Sequence, residues 1–312
     1  MNLMDHGAVA GGPDTMAAFN SAISAALNTQ AKCLYVPAGN FHHSDIIDLR
    51  GVSLYGHDPN RSILTATDPD KAAVWDRIGS TIANLQFRST REVEFNGLPR
   101  RDLVFFENAS NFRVQNNRFI GPASSGAVKM FESRNGKVIG NYIDNMRAAS
   151  IYMSGSSAMN TVEIAYNTIR RSRDDNICVE SYDGSNGVSN NINIHHNDMA
   201  DNSWGRGISI VGGHDITIDS NVSVNSAAAG VLVATEDAFA NKASYKVAIT
   251  GNTVSNAGRA NGHPGYLLSG GRAGMWIDSV RLENNTASDN VNGNFRQEGN
   301  VRNVTLSDNT GF

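Results

Sequence analysis

The segments VEIAYNTI (162–169), INIHHNDM (192–199), ITIDSNVS (216–223) and VAITGNTV (247–254) share one pattern: apolar residues at the first and third positions and Asn at the sixth. Apolar side chains two apart mark a strand with one buried face, and the Asn marks the turn that ends it. Four more copies extend the register, FRVQNNRF (112–119), GKVIGNYI (136–143), VRLENNTA (280–287) and VTLSDNTG (304–311). Their asparagines, Asn117, Asn141, Asn167, Asn197, Asn221, Asn252, Asn285 and Asn309, lie 24 to 33 residues apart. A second strand is expected at a near-constant offset, because Val128, Ile151, Ile177, Ile208, Val231 and Phe295 each fall 10 or 11 residues after one of these asparagines.

Each repeat therefore reads as a strand, an Asn turn, a shorter strand and a variable loop. Short strands with no helix between them do not build a βαβ sheet. Stacked at this period, they predict an all-β fold, a parallel β-helix in which each rung buries its inward residues against its neighbours; a β-sandwich with Asn-rich turns is the alternative. Side-chain amides at the turns are expected to hydrogen-bond along the stack. Asp14 or Thr15 is placed to cap a helix through MAAFNSAISAAL (16–27), whose Phe19, Ile23 and Leu27 share one face. The division expected is an N-terminal segment with a capping helix over 1–30 and the solenoid over 31–312, one domain overall. CLYVPAGNFHH (33–43) and GVSLYGHDPNRSIL (51–64) supply the first rungs.

Composition narrows the function. The chain has 312 residues, a net charge of −4 and 37 Asn, more than the 26 Lys and Arg together. No apolar run approaches the ~18 residues of a membrane span, and the N-terminus lacks the layout of a signal peptide. The absence of basic runs argues against nucleic acid as a partner. Cys33 and Cys178 have no metal-ligand spacing and are expected to be free thiols.

DHGAVAGGPDTMAAFNSAISAA (5–26) followed by LYVPAGNF (34–41) resembles the opening of the pectate-lyase-like, right-handed parallel β-helix superfamily of polysaccharide lyases, polygalacturonase-type hydrolases and phage tailspikes. The resemblance implies a right-handed coil, a carbohydrate groove along its side, and an extracellular or phage-particle-associated setting.

The inward phase of the shorter strands fixes the outward columns. One is read as Lys129, Tyr152, Cys178, Ser209, Leu232, Trp276 and Arg296, and the next as Phe131, Ser154, Glu180, Val211, Ala234, Asp278 and Glu298. Tyr152 and Trp276 offer aromatic faces for stacking on sugar rings, or for burial under a loop. RSRDDNICVES (171–181) stands one rung from SWGRGISIVGG (203–213). Two adjacent carboxylates push one pKa up, and a neutral acid beside an ionised base is what glycosidic cleavage requires. Asp174 and Asp175 are thus either an acid/base pair or a solvated turn with one Asp capping backbone N–H groups.

In polygalacturonase-type hydrolases an Asp-Asp pair stands at this offset, and the next rung carries Gly-His-Gly. Asp174 and Asp175 match the pair, and Gly205-Arg206-Gly207 matches the second motif with Arg in place of His. Ala148-Ala149-Ser150 stands where that family has Asn-Thr-Asp, and Leu232 and Ala234 stand at its Arg-Ile-Lys. Its third acid and its carboxylate-binding cations therefore have no counterpart. Arg206 is read as an ion-pair partner of Asp175 or as a binder of a sugar carboxylate; β-elimination would need it deprotonated.

Loops lengthen at YDGSNGVSNN (182–191), TEDAFANKASY (235–245) and GRANGHPGYLLSGGRA (258–273). They are expected to bring Tyr182, Asp183, Glu236, Asp237 and His263 to the groove, with His214 nearby and Trp204 beside Arg206. A calcium site from Asp174, Asp175, Glu180 and Asp183 is conceivable; otherwise no cofactor is expected. A second acidic cluster is read at Trp276, Asp278, Arg296 and Glu298. The expectation is an enzyme acting on an extended, acidic polysaccharide, with Asp174, Asp175, Glu180 and Glu236 catalytic and Arg206, His214, Tyr152, Tyr182, Trp204, Asp237 and Trp276 binding substrate. Hydrolysis leads, β-elimination is the alternative, and a non-catalytic glycan-binding or structural shaft is the second. The last rung has no distinct cap after VTLSDNTGF (304–312), which suggests a homotrimer.

Overall fold

The structure is a computed structural model that describes residues 1–155, 159–182 and 187–312. The chain divides into two compact units, Met1–Ala148 and Ala149–Phe312.

In the first unit the helix Met16–Leu27 buries Ala18, Phe19, Ala22, Ile23 and Ala26 and packs on the strands Cys33–Val36 and Ile47–Asp48. It covers the open end of the first rung, as a solenoid cap must. Thr15 is the N-cap position, but its hydroxyl is used by the His42 carbonyl at 2.5 Å. Asp14 Oδ1 instead accepts from the Met16 N–H at 3.2 Å. Beyond the helix, every third strand pairs in parallel. Cys33–Val36, Ser53–Gly56, Thr81–Ala83, Arg113–Gln115 and Gly136–Ile139 form a first sheet. Gly39–His43, Ser62–Ala66, Gln86–Ser89, Arg118–Ala123 and Tyr142–Met146 form a second. Ile47–Asp48, Val74–Asp76, Val104–Glu107 and Val128–Phe131 form a third.

The second unit repeats the pattern. Its first sheet runs from Asn160–Ala165 through Asn190–His195, Gly213–Asp219, Ser244–Thr250 and Ile277–Glu283 to Val301–Ser307. Its second sheet is made of three-residue strands, Thr168–Arg170, Asp198–Ala200, Val222–Val224, Thr253–Ser255 and Thr286–Ser288. Its third contains Ile151–Ser154, Ile177–Glu180, Ile208–Val211, Val231–Thr235, Tyr266–Gly270 and Phe295–Gly299. Three parallel sheets with a strand period of three are the arrangement of a right-handed β-helix. The sequence suggested two strands per repeat, and the structure has three. The strand after each Asn has one inward residue, such as Ile169 or Met199, so it carries no alternation to detect.

The Asn turns form the expected ladder. In the second unit Asn221 accepts from the backbone N–H and the side-chain Nδ2 of Asn197, both at 2.9 Å. It then donates to Asn252 Oδ1 at 3.0 Å and to the Ile194 carbonyl at 2.9 Å. Asn167 and Asn285 continue the same contacts. An unsatisfied amide this deeply buried would cost about 1–3 kcal/mol per group, so the stack is what allows a polar residue at every rung. The left-handed residue of each turn is the one before the Asn, for example Tyr166 (φ 56°), His196 (54°) and Ser220 (53°).

The third sheet of the second unit is buried on both faces over Ile177–Glu180, Ile208–Val211 and Val231–Thr235. Cys178, Val211, Leu232, Ala234 and Leu267 form an apolar cluster against which Tyr152 packs. The register corrects both outward columns: Leu232 pairs with Leu267, which pairs with Arg296, and Ala234 pairs with Ser269, which pairs with Glu298. Trp276 and Asp278 belong at the first sheet, where Asp278 pairs with Tyr245 and Arg302. The insertion at 258–265 moves the third-sheet strand to Tyr266, and counting from Asn252 across it loses the phase. The second acidic cluster therefore does not exist, since Glu298 pairs with Ser269 on the third sheet and binds Arg296 at 2.9 Å.

Candidate active site

Two successive turns leading into the third sheet of the second unit meet at Asp174, Asp175 and Arg206. Glycine is required between them. A Cβ on Gly205 would lie 2.5 Å from the Asp174 carbonyl carbon and the Asp175 nitrogen, and one on Gly207 would lie 2.4 Å from the Gly230 carbonyl oxygen. The Gly-Arg-Gly motif thus lets one turn settle on the next and delivers the Arg206 backbone N–H to Asp175 Oδ1 at 2.7 Å. Asn202 fixes both turns from the side, donating to the Asp174 carbonyl and to the Arg206 carbonyl at 3.2 Å.

Asp175 is buried, and its other oxygen accepts from Ser209 Oγ at 2.5 Å. Arg206 Nε lies 3.1 Å from Asp175 Oδ1, a close ion pair without hydrogen-bond alignment. The far end of the guanidinium lies 3.6 Å from Glu236 Oε1. One arginine therefore ties the carboxylate before one strand to the carboxylate after another.

This packing separates the titrations. Burial, then the Asp175 carboxylate, push the Asp174 carboxyl up to about 6, against the opposing pull of Arg206. Burial also raises Glu236, with Arg206 pulling it back and Asp175 and Glu180 pushing it further up. Burial opposes the charge on Arg206, but Asp175 and Glu236 outweigh it and hold the guanidinium above its ordinary value. The carboxylates thus favour the charged form of Arg206. Burial, Arg206 and Arg296 depress His263, leaving a neutral imidazole whose Nδ1 is buried without a protein partner. The arrangement holds Asp174 as a carboxyl raised toward neutral pH beside Asp175, which is paired with Arg206, the kind of perturbed group that acid/base chemistry uses.

Glu180 closes the other end of the sheet. It accepts from the hydroxyls of Tyr152 and Tyr182, the latter at 2.8 Å, and from Asn241 Nδ2 at 3.0 Å. The two tyrosine hydroxyls are 2.8 Å apart, and Tyr182 also bridges to Asn241 through the backbone. Glu180 is thus a hub that fastens the loop after Glu236 to the strand Ile177–Glu180. Asn241 carried no recognisable signal in the sequence, because its role exists only after the loop closes. Cys178, a free thiol, lies between the acids, and burial followed by Asp175 and Glu180 drives its pKa well up.

Asp174, Asp175, Glu180, Glu236 and Arg206 come together as expected, and Tyr152 and Tyr182 join through Glu180. Tyr152 spends its hydroxyl there and packs on the apolar cluster, so it is not an open stacking platform. Trp204 projects from the turn before Ile208–Val211 and is 66% exposed. Asp237 is exposed on the single turn Asp237–Phe239. His214 and Trp276 are not in this group. His214 is on the first sheet, bonded to Asp215 Oδ2 at 2.6 Å and stacked on Tyr245, and Trp276 lies under Arg302. Asp183 lies outside the described residues. Among the described residues no three His, Cys, Asp or Glu side chains are disposed to hold a metal ion.

Known structures share this coil. The endo-xylogalacturonan hydrolase from Aspergillus tubingensis superposes with a TM-score of 0.68 at 13% identity, covering 97% of this chain and 92% of that one. The A-module of a mannuronan C-5 epimerase from Azotobacter vinelandii gives 0.56 at 18% identity, over 99% and 95%. A surface protein and adhesin of Streptococcus pneumoniae gives 0.56 at 11%, over 98% and 99%. At such identities the likeness establishes the fold, and it spans a hydrolase, an epimerase and an adhesin. No curated protein sequence matches the chain. A family model described as rhamnogalacturonase A/epimerase, pectate lyase-like matches residues 1–232. With that match covering most of its length, the chain belongs to the rhamnogalacturonase A/epimerase, pectate lyase-like family.

Proposed function

We propose that the protein is a glycoside hydrolase cleaving an extended polysaccharide beside the turns that carry Asp174 and Arg206 into the third sheet of its second unit. The observation that carries this reading is the split within the Asp pair: Asp175 is committed to Arg206 and Ser209, while Asp174 is raised to about 6. Asp174 then donates the proton to the departing glycosidic oxygen. Glu236, held by Arg206 yet partly exposed, is the carboxylate assigned to the other side of the bond. Asp175 and Glu180 position these groups, and Trp204 offers a stacking face beside them.

The charge balance bears on the substrate. An acidic glycan was expected, with Arg206 read either as an ion-pair partner of Asp175 or as a binder of a sugar carboxylate; its guanidinium is in fact shared between Asp175 and Glu236. Asp175, Glu236 and Asp174 all act on it, and a uronate would meet their repulsion there. A neutral sugar at the cleaved bond fits better. The test is incubation with a panel of neutral and acidic polysaccharides, following reducing ends and unsaturated uronate absorbance together. Reducing ends without absorbance, on a neutral polymer, are expected. Absorbance rising with the reducing ends would make the protein a lyase, and neither signal across the panel would favour a binding role.

A further inference from the structure

The first sheet of the second unit has its own constellation, separate from the carboxylate cluster. His214, Tyr245, Asp278 and Arg302 are successive neighbours in register. After each comes a residue in the left-handed region, Asp215 (φ 51°), Lys246 (52°), Ser279 (56°) and Asn303 (54°). The ladder skips these residues, since Ile216↔Val247 is the pair that follows His214↔Tyr245. Each rung thus carries a stacked left-handed residue, and two consecutive side chains, such as His214 and Asp215, stand outside the buried face. Lys and Ser hold this conformation at a cost of roughly 1 kcal/mol each.

Two of these residues line a cavity of about 360 Å³ together with Tyr245, Trp276, Asp278 and Arg302. That volume is at the lower end of the roughly 300–1,000 Å³ of small-molecule sites. Its aromatic walls are held by neighbouring side chains. Tyr245 stacks on His214 with ring centroids 4.6 Å apart and planes 7° apart, and the Arg302 guanidinium sits 4.8 Å over the Trp276 ring. Trp276 is nonetheless 40% exposed. Asp278 accepts from Arg302 Nε at 2.7 Å and Asn303 Nδ2 at 2.8 Å, and Lys246 lies 3.8 Å from Asp215. The two cations are therefore balanced by two carboxylates, so the cavity has no net pull on an ion. Pre-set aromatic faces, hydroxyl, ammonium and carboxylate groups at the rim, and balanced charge suit a flat, hydroxyl-rich, uncharged ligand.

We infer that this cleft is a second, non-catalytic glycan site, which holds neutral pyranose units of a polysaccharide against Trp276 and Tyr245. The rung repeat of about 4.8 Å is close to the rise of one pyranose unit, so a chain running across the rungs meets Tyr245 and Trp276 in succession.

The test is affinity electrophoresis of the full chain carrying Asp174→Asn, so that binding is read without cleavage. The gels contain a soluble β-glucan, dextran, galactomannan or polygalacturonate. At least one neutral polymer should retard the protein, with little change when salt is raised. Adding Trp276→Ala or Tyr245→Ala should weaken that retardation at least fivefold, Trp276→Phe should keep part of it, and Trp204→Ala should remove only the smaller share contributed by the proposed catalytic site. Unchanged melting temperatures would show that the variants fold. No retardation by any neutral polymer, retardation that survives Trp276→Ala and Tyr245→Ala, or retardation that follows Trp204 alone would each overturn the inference. Hydrolysis by the wild-type protein is scored separately, so either idea can fail without the other.

Discussion

Arg206 and Asp175 are joined twice, by the arginine's backbone N–H at 2.7 Å and by its guanidinium at 3.1 Å. The first contact depends on the glycines that let the turns meet, the second on a side chain that also reaches Glu236. Arg206→Ala strands a buried carboxylate and should destabilise the fold by roughly 3 kcal/mol. Arg206→Lys restores charge without the planar fork and should recover less than half of that. Urea denaturation of the three proteins checks this. Equal stability of wild type and Arg206→Ala would mean that the pair contributes nothing.

The raised Asp174 pKa makes a signed prediction. The folded state holds this proton more tightly than the unfolded chain, so the contribution to stability is complete below the ordinary value of 3.8 and is lost as pH rises through about 6. Asp174→Asn should therefore stabilise the protein at pH 7 by roughly 1–3 kcal/mol, with the difference vanishing near pH 4. Activity should fall above pH 6 as the acid ionises. Denaturation curves at several pH values decide it, and a variant less stable than wild type at pH 7 would contradict the assignment.

Gly205→Ala places a methyl group 2.5 Å from the backbone of the Asp pair. The turns must separate, moving Arg206 away from Asp175. A loss of at least tenfold in hydrolysis and about 2 kcal/mol in stability is expected, measured by reducing-end release and thermal unfolding.

The Asn ladder should be most sensitive at its centre. Asn221→Ala leaves both donors of Asn197 without their acceptor and should cost roughly 3 kcal/mol. Asn309→Ala, at a half-buried rung, should cost less than half as much. Equal losses in urea would show that the ladder does not act through burial.

The coil was legible because its inward residues and turn asparagines recur in a fixed phase, and parallel stacking turns sequence offset into spatial neighbourhood. The same rule brought Asp174 and Asp175 onto Arg206, one rung apart. It failed where the phase was broken. The insertion before Tyr266 shifted Trp276 and Asp278 to a different sheet, and His214 lies on the strand that follows Ile208–Val211, on the first sheet. Asn241 was invisible for another reason: it is a loop residue 61 positions from Glu180, and their meeting depends on loop closure. The contact of Arg206 with Glu236 belongs to the same class.

The central claim, that Asp174 is the acid of a hydrolytic site, is tested most directly by comparing Asp174→Asn on two substrates of the same sugar, the polymer and an oligosaccharide with an activated aryl leaving group. Protonation is needed for the first and hardly for the second. The account predicts a fall of roughly 10²–10⁴-fold on the polymer and only a small fall on the aryl glycoside. Equal losses on both, or full activity on the polymer, would contradict it.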